Sequence, residues 1–118
     1  LYPGRDFRFG NVVDESHWNN LDKYDAVFCV AVLHHIPEKE QQIYVLKQMK
    51  KHLAKGGFLY LTVWNLWQEK FLQYHIDGHV EVPYNIKWKR FCVAFDVQSL
   101  TNLMTHLTHS LLTCDTVG

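Results

Sequence analysis

Several features that would assign a function directly are missing from this chain of 118 residues. Lys+Arg and Asp+Glu both number 12, so no overall charge favours a nucleic acid as partner. Only six glycines occur, and none forms a GxGxG turn. The three cysteines, Cys29, Cys92 and Cys114, are widely spaced, which argues against a disulfide framework or a zinc knuckle and favours a reducing cytoplasm. Every apolar run is shorter than the roughly 18 residues of a membrane span, and no signal peptide is visible.

The most regular part of the sequence extends from Tyr24 to Asn65. The apolar run from Tyr24 to Leu33 predicts a strand buried on both faces of a parallel sheet. A helix should begin near Pro37 and end at Gly56-Gly57 in a left-handed turn, before a second strand over 58–63. This pattern predicts a βαβ unit and hence an α/β fold, in which ligands bind beyond the carboxyl ends of the strands. The predicted apolar stripe of the helix is formed by Ile43, Leu46, Met49 and Leu53.

The rest of the chain contains shorter elements. Asp77-Gly78 is a turn signal, and Asp96 is a good helix cap. In chain order, the pattern predicts a short strand within 7–13, a loop or one helical turn in 14–23, a partly helical segment in 66–79, an extended piece in 80–83, a strand entering the sheet in 87–95, a helix in 97–107 and a final strand in 110–117.

The segment YDAVFCVAVLHHIPEKEQQIYVLKQMKKHLAKGGFLYLTVWN resembles the second half of a class I S-adenosylmethionine-dependent methyltransferase. In that family an FDxV strand leads into an LHHI segment, and a helix ending in LKPGG leads into the next strand. The pairing of AVLHHI with TVWN is most similar to enzymes that methylate carboxymethyluridine at the tRNA wobble position. The resemblance covers about residues 7 to 107 and implies a Rossmann-like methyltransferase sheet, with S-adenosylmethionine as cofactor and tRNA as a candidate partner.

The resemblance also implies a set of cofactor-binding residues. The family's strand ending in a Gly-Asp pair meets the adenine ring, and here the pair reads Gly10-Asn11. Asn11 and Val12 are therefore expected at the adenine, although Asn11 as a plain turn residue is an equal alternative. His34 is expected near the methionine end of the cofactor and His35 under the helix; both being structural is the alternative, and metal binding is discounted. The implied lining of the strand exit is Cys29, Val30 and Ala31.

A second set of residues is implied for the methyl acceptor. Arg90 is the candidate for a carboxylate or phosphate, because a guanidinium binds such groups through two parallel hydrogen bonds. Trp64, Asn65 and Gln68 are candidates for stacking on a base and hydrogen bonding to it. Cys92 stands where the wobble-uridine enzymes carry a tyrosine in their RYY..F segment. Arg90 as a surface charge and Trp64 as a core aromatic remain equal alternatives.

The missing glycine loop predicts that residues 1–118 are a partial domain, without the N-terminal βαβ part of the sheet. Such a chain is expected to be inactive alone. Three functions stay open: part of a tRNA methyltransferase, part of a small-molecule methyltransferase, and a non-catalytic subunit whose partner completes the sheet. A cytoplasmic protein without a membrane partner is expected in each case.

Overall fold

The computed structural model describes residues 10–19, 21–83 and 87–107 and contains the predicted βαβ unit. Strand β1 is Tyr24–Val30, helix α1 is Lys39–Lys51, and strand β2 is Leu53–Thr62. The two strands run parallel, with Ala26 opposite Phe58 and Val30 opposite Thr62. The α/β prediction is therefore confirmed for this unit. Its strands end side by side, so their carboxyl ends form one edge.

Helix α1 ends earlier than its glycines suggest. His52 follows the last helical residue and its N–H bonds back to the carbonyl of Gln48. The His52 carbonyl then accepts from the N–H of Tyr24 at 2.7 Å, which places the chain in the sheet at once. Gly56, with φ of +78°, lies inside β2 beside an irregularity in the strand pairing. The prediction that Gly56-Gly57 ends the helix is thus wrong, and Leu53 belongs to β2 rather than to the helical stripe.

One face of the β1–β2 sheet is exposed in the described part of the chain. Phe28 is 67% exposed and Phe58 is 63% exposed, and the ring of Phe28 stacks on Tyr60 with centroids 5.0 Å apart. Residues of the opposite face, such as Cys29, pack against α1. Burial of β1 on both faces was therefore a wrong prediction, because only one helical layer of the described chain covers this sheet.

A second sheet is antiparallel and has the order β3–β4–β5. Its strands are β3 His75–Ile76, β4 His79–Pro83 and β5 Lys89–Cys92. Asp77 and Gly78 have φ values of +46° and +86°, as a two-residue hairpin turn requires. The turn and the extended piece at 80–83 are confirmed. The prediction that the strand in 87–95 enters the first sheet is wrong, because β5 pairs with β4.

The remaining elements are short. Helix α2 is Glu69–Leu72, and helix α3 is Val97–Met104, which a 3-10 turn extends to Leu107. Asp96 caps α3 as predicted, since its side chain accepts from the N–H of Ser99 and the Ser99 side chain accepts from the N–H of Asp96. A 3-10 turn at Glu15–Trp18 agrees with the single helical turn predicted there. Residues 10–13 form no strand, whereas residues 7–9 and 110–117 lie outside the described part of the chain.

Two apolar clusters position the site. The larger one lies between β1, α1 and α3 and includes Leu33, Leu46 and Leu103. The smaller one contains Leu66, Val80 and Cys92, with Trp64 packed against it. The segment between β1 and α1 therefore lies where both clusters meet. None of the helices described in the three ranges is long and apolar enough to cross a membrane.

Candidate functional site

The carboxyl ends of β1 and β2 are joined at Ala31. Its N–H donates to the Thr62 carbonyl at 3.0 Å and to Thr62 Oγ1 at 3.1 Å. Ala31 has φ of +56°, which is uncommon for a residue with a side chain and costs free energy. Strained backbone of this kind is concentrated at functional sites. The strand exit is thus a fixed, sharp turn at the edge where α/β proteins bind ligands.

The 3-10 turn Leu33–His35 is fixed from two sides. Gln42 on α1 is buried, and its Nε2 donates to the Ile36 carbonyl at 2.7 Å. From the other side, the N–H of Val93 donates to the His34 carbonyl at 2.7 Å, which joins the chain after β5 to this turn. Both histidines are therefore held between the βαβ unit and the second sheet.

His34 is fully buried, and its hydrogen bonding fixes its tautomer. The backbone N–H of Trp64 donates to His34 Nδ1 at 3.3 Å, so the proton must reside on Nε2. Burial, with a smaller contribution from His35, lowers the pKa of His34 to about 4. The ring is thus neutral at pH 7. Nε2 has no hydrogen-bond partner among the described residues, which leaves a buried N–H donor at the strand exit.

Aromatic rings surround this donor. The His34 ring lies 4.2 Å from that of His35 and 4.5 Å from that of Trp64 between centroids. These three rings form the histidine cluster. Cys92 Sγ is 3.6 Å from His35 Nδ1, which brings the end of β5 to this cluster. Burial raises the pKa of Cys92, against the opposing effect of the Arg90 charge, so Cys92 remains a thiol and is a poor nucleophile. No group of three metal-ligating side chains occurs within residues 10–19, 21–83 and 87–107.

The structure brings together Ala31, His34 and Trp64 from the predicted set. Cys29 is buried in the core, and burial raises its pKa to about 11, so only its backbone can face a ligand. Val30 is 62% exposed on the open sheet face. Asn65 and Gln68 follow the carboxyl end of β2. Asn65 Oδ1 accepts from the N–H of Trp67 at 3.2 Å, and Gln68 directly precedes α2. Arg90 is exposed on β5.

Asn11 and Val12 lie away from this cluster. The Val12 carbonyl accepts from Trp18 Nε1 at 2.8 Å, and the Trp18 ring lies 5.6 Å from that of His52. His52 contacts the start of β1, at the edge opposite to Ala31. The side-chain oxygen of Asn11 accepts from the N–H of Val13, as in a turn. Adenine binding by this pair stays a prediction, and the described contacts do not support it.

Sequence reasoning missed two residues that build the site. Gln42 was overlooked because it precedes the predicted apolar stripe, where a polar residue indicates the solvent-exposed side of a helix. In the structure its side chain is buried. Thr62 was overlooked because its hydroxyl acts through a long-range contact that spacing does not reveal. A polar side chain among the apolar positions of a helix was the only available signal for Gln42.

Comparisons with known proteins agree with this architecture. The sequence model of the family described as "Methyltransferase domain" matches residues 3–107. A "Probable tRNA methyltransferase 9B" from Mus musculus is 39% identical over 46 residues, which are 39% of this chain and 10% of that protein. Proteins of the same name from Bos taurus and Homo sapiens are each 32% identical over 62 residues, which are 52% of this chain and 13% of theirs.

The matched region is thus only about a tenth of the length of these curated relatives. No solved structure matches the chain. The family match spans almost the whole sequence and includes the βαβ unit and the joined strand exits. By this match, the chain belongs to the methyltransferase-domain family, with its Rossmann-like α/β fold, and is related to tRNA methyltransferases.

Proposed function

We propose that this chain is part of an S-adenosylmethionine-dependent tRNA methyltransferase that modifies the carboxymethyl group of a wobble uridine. The observation that supports this most is the hydrogen bond from the Trp64 N–H to His34 Nδ1. It joins the two predicted ligand-binding segments, one after each strand, at the edge where such folds bind ligands. The names of the relatives support tRNA as the substrate class.

The residues at the strand exit fit one side of a cofactor pocket. The cofactor would supply a methyl group on a positively charged sulfur. His34 suits a position near this sulfur, because its low pKa keeps the ring neutral and avoids repulsion between two positive charges. Its Nε2–H is available to donate a hydrogen bond to the cofactor. The sharp turn at Ala31 brings backbone to the same edge. The described residues contain no glycine loop for the cofactor's carboxypropyl end, so this chain would provide only part of the pocket.

Arg90 is the group proposed to hold the methyl acceptor. A carboxylate is ionised at pH 7, so the acceptor needs orientation rather than a general base. The Arg90 guanidinium can orient it through two parallel hydrogen bonds. Arg90 lies two residues before Cys92, whose sulfur contacts His35, so β5 approaches the histidine cluster. Trp64 offers an aromatic face to a base from the end of β2.

Calorimetric titration with S-adenosylhomocysteine tests the cofactor half of the proposal. We expect weak but saturable one-site binding to a chain that circular dichroism shows to be folded, because this chain provides only part of the pocket. The His34→Asn variant, which loses the Nε2–H donor, should bind roughly fivefold more weakly, because one buried hydrogen bond contributes about 1 kcal/mol. Gln41→Ala, at an exposed position on α1, is the matched control and should bind like the unmodified chain. A folded chain that binds no cofactor analogue would contradict the proposal.

Absence of binding would favour a second candidate, a non-catalytic subunit of a methyltransferase. The open face of the β1–β2 sheet supports this alternative, because a partner that completes the sheet would also cover that face. A methyltransferase acting on a small molecule is the third candidate, and the zero net charge of the chain favours it over tRNA. Cofactor binding without RNA binding would select that candidate.

A further inference from the structure

A basic cleft lies at the edge of the sheet opposite to the histidine cluster. Its volume is about 660 Å³, and it is formed where α1 ends and where β1 and β2 begin. The 3-10 turn after α3 closes one side of it. The lining residues are Lys23, Lys47, Lys50, Lys51, Leu53, His106 and Leu107.

The cleft concentrates positive charge, although the net charge of the chain is zero. Four of the 12 Lys and Arg residues line it, and no carboxylate belongs to its lining in the described part of the chain. Lys47 and Lys51 are four residues apart on α1 and therefore lie on one face, with Cβ atoms about 5–6 Å apart. Lys50 has a structural task as well, because its Nζ donates to the Leu107 carbonyl and joins α1 to the 3-10 turn.

We propose that this cleft binds the phosphate backbone of the RNA substrate, an inference that rests on the function proposed above. A nucleic-acid strand carries closely spaced negative charges, roughly one for every 3.4 Å of duplex axis, so the long side chains of Lys47 and Lys51 can contact neighbouring phosphates of one strand. Lysines act there as point charges that hold the backbone without reading its sequence. Such contacts position a substrate rather than select it.

The location of the cleft favours a large polyanion over a small acceptor. Strand β1 has 7 residues, which at about 3.3 Å per residue separates the cleft from the strand exit by roughly 20 Å. A small molecule held at Trp64 and Arg90 cannot reach that far. A folded RNA can contact both edges of the sheet at once, with one nucleotide at the strand exit and its backbone in the cleft.

Fluorescence anisotropy with a labelled tRNA transcript tests the inference on the 118-residue chain. The test variant Lys47→Gln/Lys51→Gln leaves Lys50 and its contact to Leu107 in place. We expect this variant to bind tRNA about tenfold more weakly at 50 mM salt. We also expect the slope of log affinity against log salt to fall by about 1.4 to 1.8, since each neutralised phosphate contributes about 0.7 to 0.9.

The control variant Lys39→Gln/Lys70→Gln removes the same charge from exposed positions outside the cleft lining. We expect its affinity to stay within about twofold of the unmodified chain and its salt slope to be retained. Equal losses in both variants would overturn the inference, because they would show that only total charge matters. Equal affinity for poly-glutamate and tRNA would also overturn it and indicate an acidic protein partner.

The RNA and cofactor experiments test different parts of the chain, so a negative result in one does not imply a negative result in the other. S-adenosylhomocysteine binding depends on the strand exit, and the Lys47→Gln/Lys51→Gln variant should retain it. If the unmodified chain binds both cofactor and RNA, and the Lys47→Gln/Lys51→Gln variant binds RNA equally well, the cleft alone is overturned. Cofactor binding without any RNA binding would overturn both the cleft and tRNA as the substrate class. RNA binding through the cleft without any cofactor binding would support the cleft and contradict the proposed catalytic function.

Discussion

At the scale of the residue, burial decides the chemistry of His34. The ring is enclosed by His35 and Trp64, so water cannot solvate the protonated ring and its charged form is destabilised. With a pKa near 4, His34 binds no proton in the folded state at neutral pH. In the unfolded chain the same ring has an ordinary pKa near 6.5. His34 therefore couples the stability of the site to pH.

The first prediction is that mild acid destabilises the chain through His34. Between pH 6.5 and pH 4 the unfolded state binds a proton that the folded state does not, so stability falls as pH falls through this window. For these pKa values the loss between pH 7.5 and pH 5 is about 2 kcal/mol. Urea unfolding at the two pH values measures it. His34→Asn does not titrate and should show a loss smaller by that amount; an unchanged pH response would contradict the burial of the ring.

The second prediction concerns Arg90. Its side chain is exposed on β5, so Arg90→Ala should leave the melting temperature within about 2 °C of the unmodified chain. In a protein with the complete cofactor site, the same change should lower kcat/KM for the RNA substrate by about tenfold or more, because a charge-assisted pair is lost. Lys89→Ala, on the neighbouring position of β5, is the control. Normal turnover by the Arg90→Ala variant would show that Arg90 does not hold the methyl acceptor.

At the scale of the element, α1 supports the site by packing on β1 and by holding the turn after it. The buried positions of α1 are Gln42, Val45, Leu46 and Met49, whereas the sequence suggested a stripe that began at Ile43 and reached Leu53. Helical spacing predicted the correct buried face of α1 but not the residues at the margins of that face. A three- to four-residue period cannot distinguish a half-buried Ile43 from a buried Gln42, since that depends on which groups the helix meets.

The third prediction tests this face of α1. Leu46 has no exposed surface, so Leu46→Ala should lower the free energy of unfolding by about 2–5 kcal/mol through lost apolar contacts and a residual cavity. Gln41→Ala lies on the exposed side of the same helix and should change stability by less than about 0.5 kcal/mol. Chemical denaturation of both variants measures the difference. Similar stability in the two would show that α1 packs through another face.

At the scale of the whole molecule, the sequence predicted local units better than their assembly. The βαβ unit, the Asp77-Gly78 turn and the Asp96 cap follow from short-range signals, and all three are present. The pairing of β5 with β4 and the exposure of one sheet face depend on distant segments, which no local period encodes. The same holds for the site. Motifs indicated His34 and Trp64, whereas the contacts through Thr62 and Gln42 appear only in three dimensions.

The last prediction follows from the open face of the sheet. Phe28, Phe58 and Tyr60 form an apolar surface in the described part of the chain, and such surfaces bind hydrophobic dyes. The chain should therefore increase the fluorescence of anilinonaphthalene sulfonate while it is fully folded. Phe28→Gln/Tyr60→Gln should reduce that increase by at least half.

A matched control separates this face from scattered apolar residues. Ile76 and Val97 are 42% and 44% exposed and lie outside the β1–β2 sheet, so Ile76→Gln/Val97→Gln should leave dye binding nearly unchanged. Equal reductions in both variants would show that the dye detects general apolar exposure. A folded chain that binds no dye at all would mean that the face is covered in solution, and the open sheet would then no longer support the non-catalytic subunit as the alternative to the enzyme.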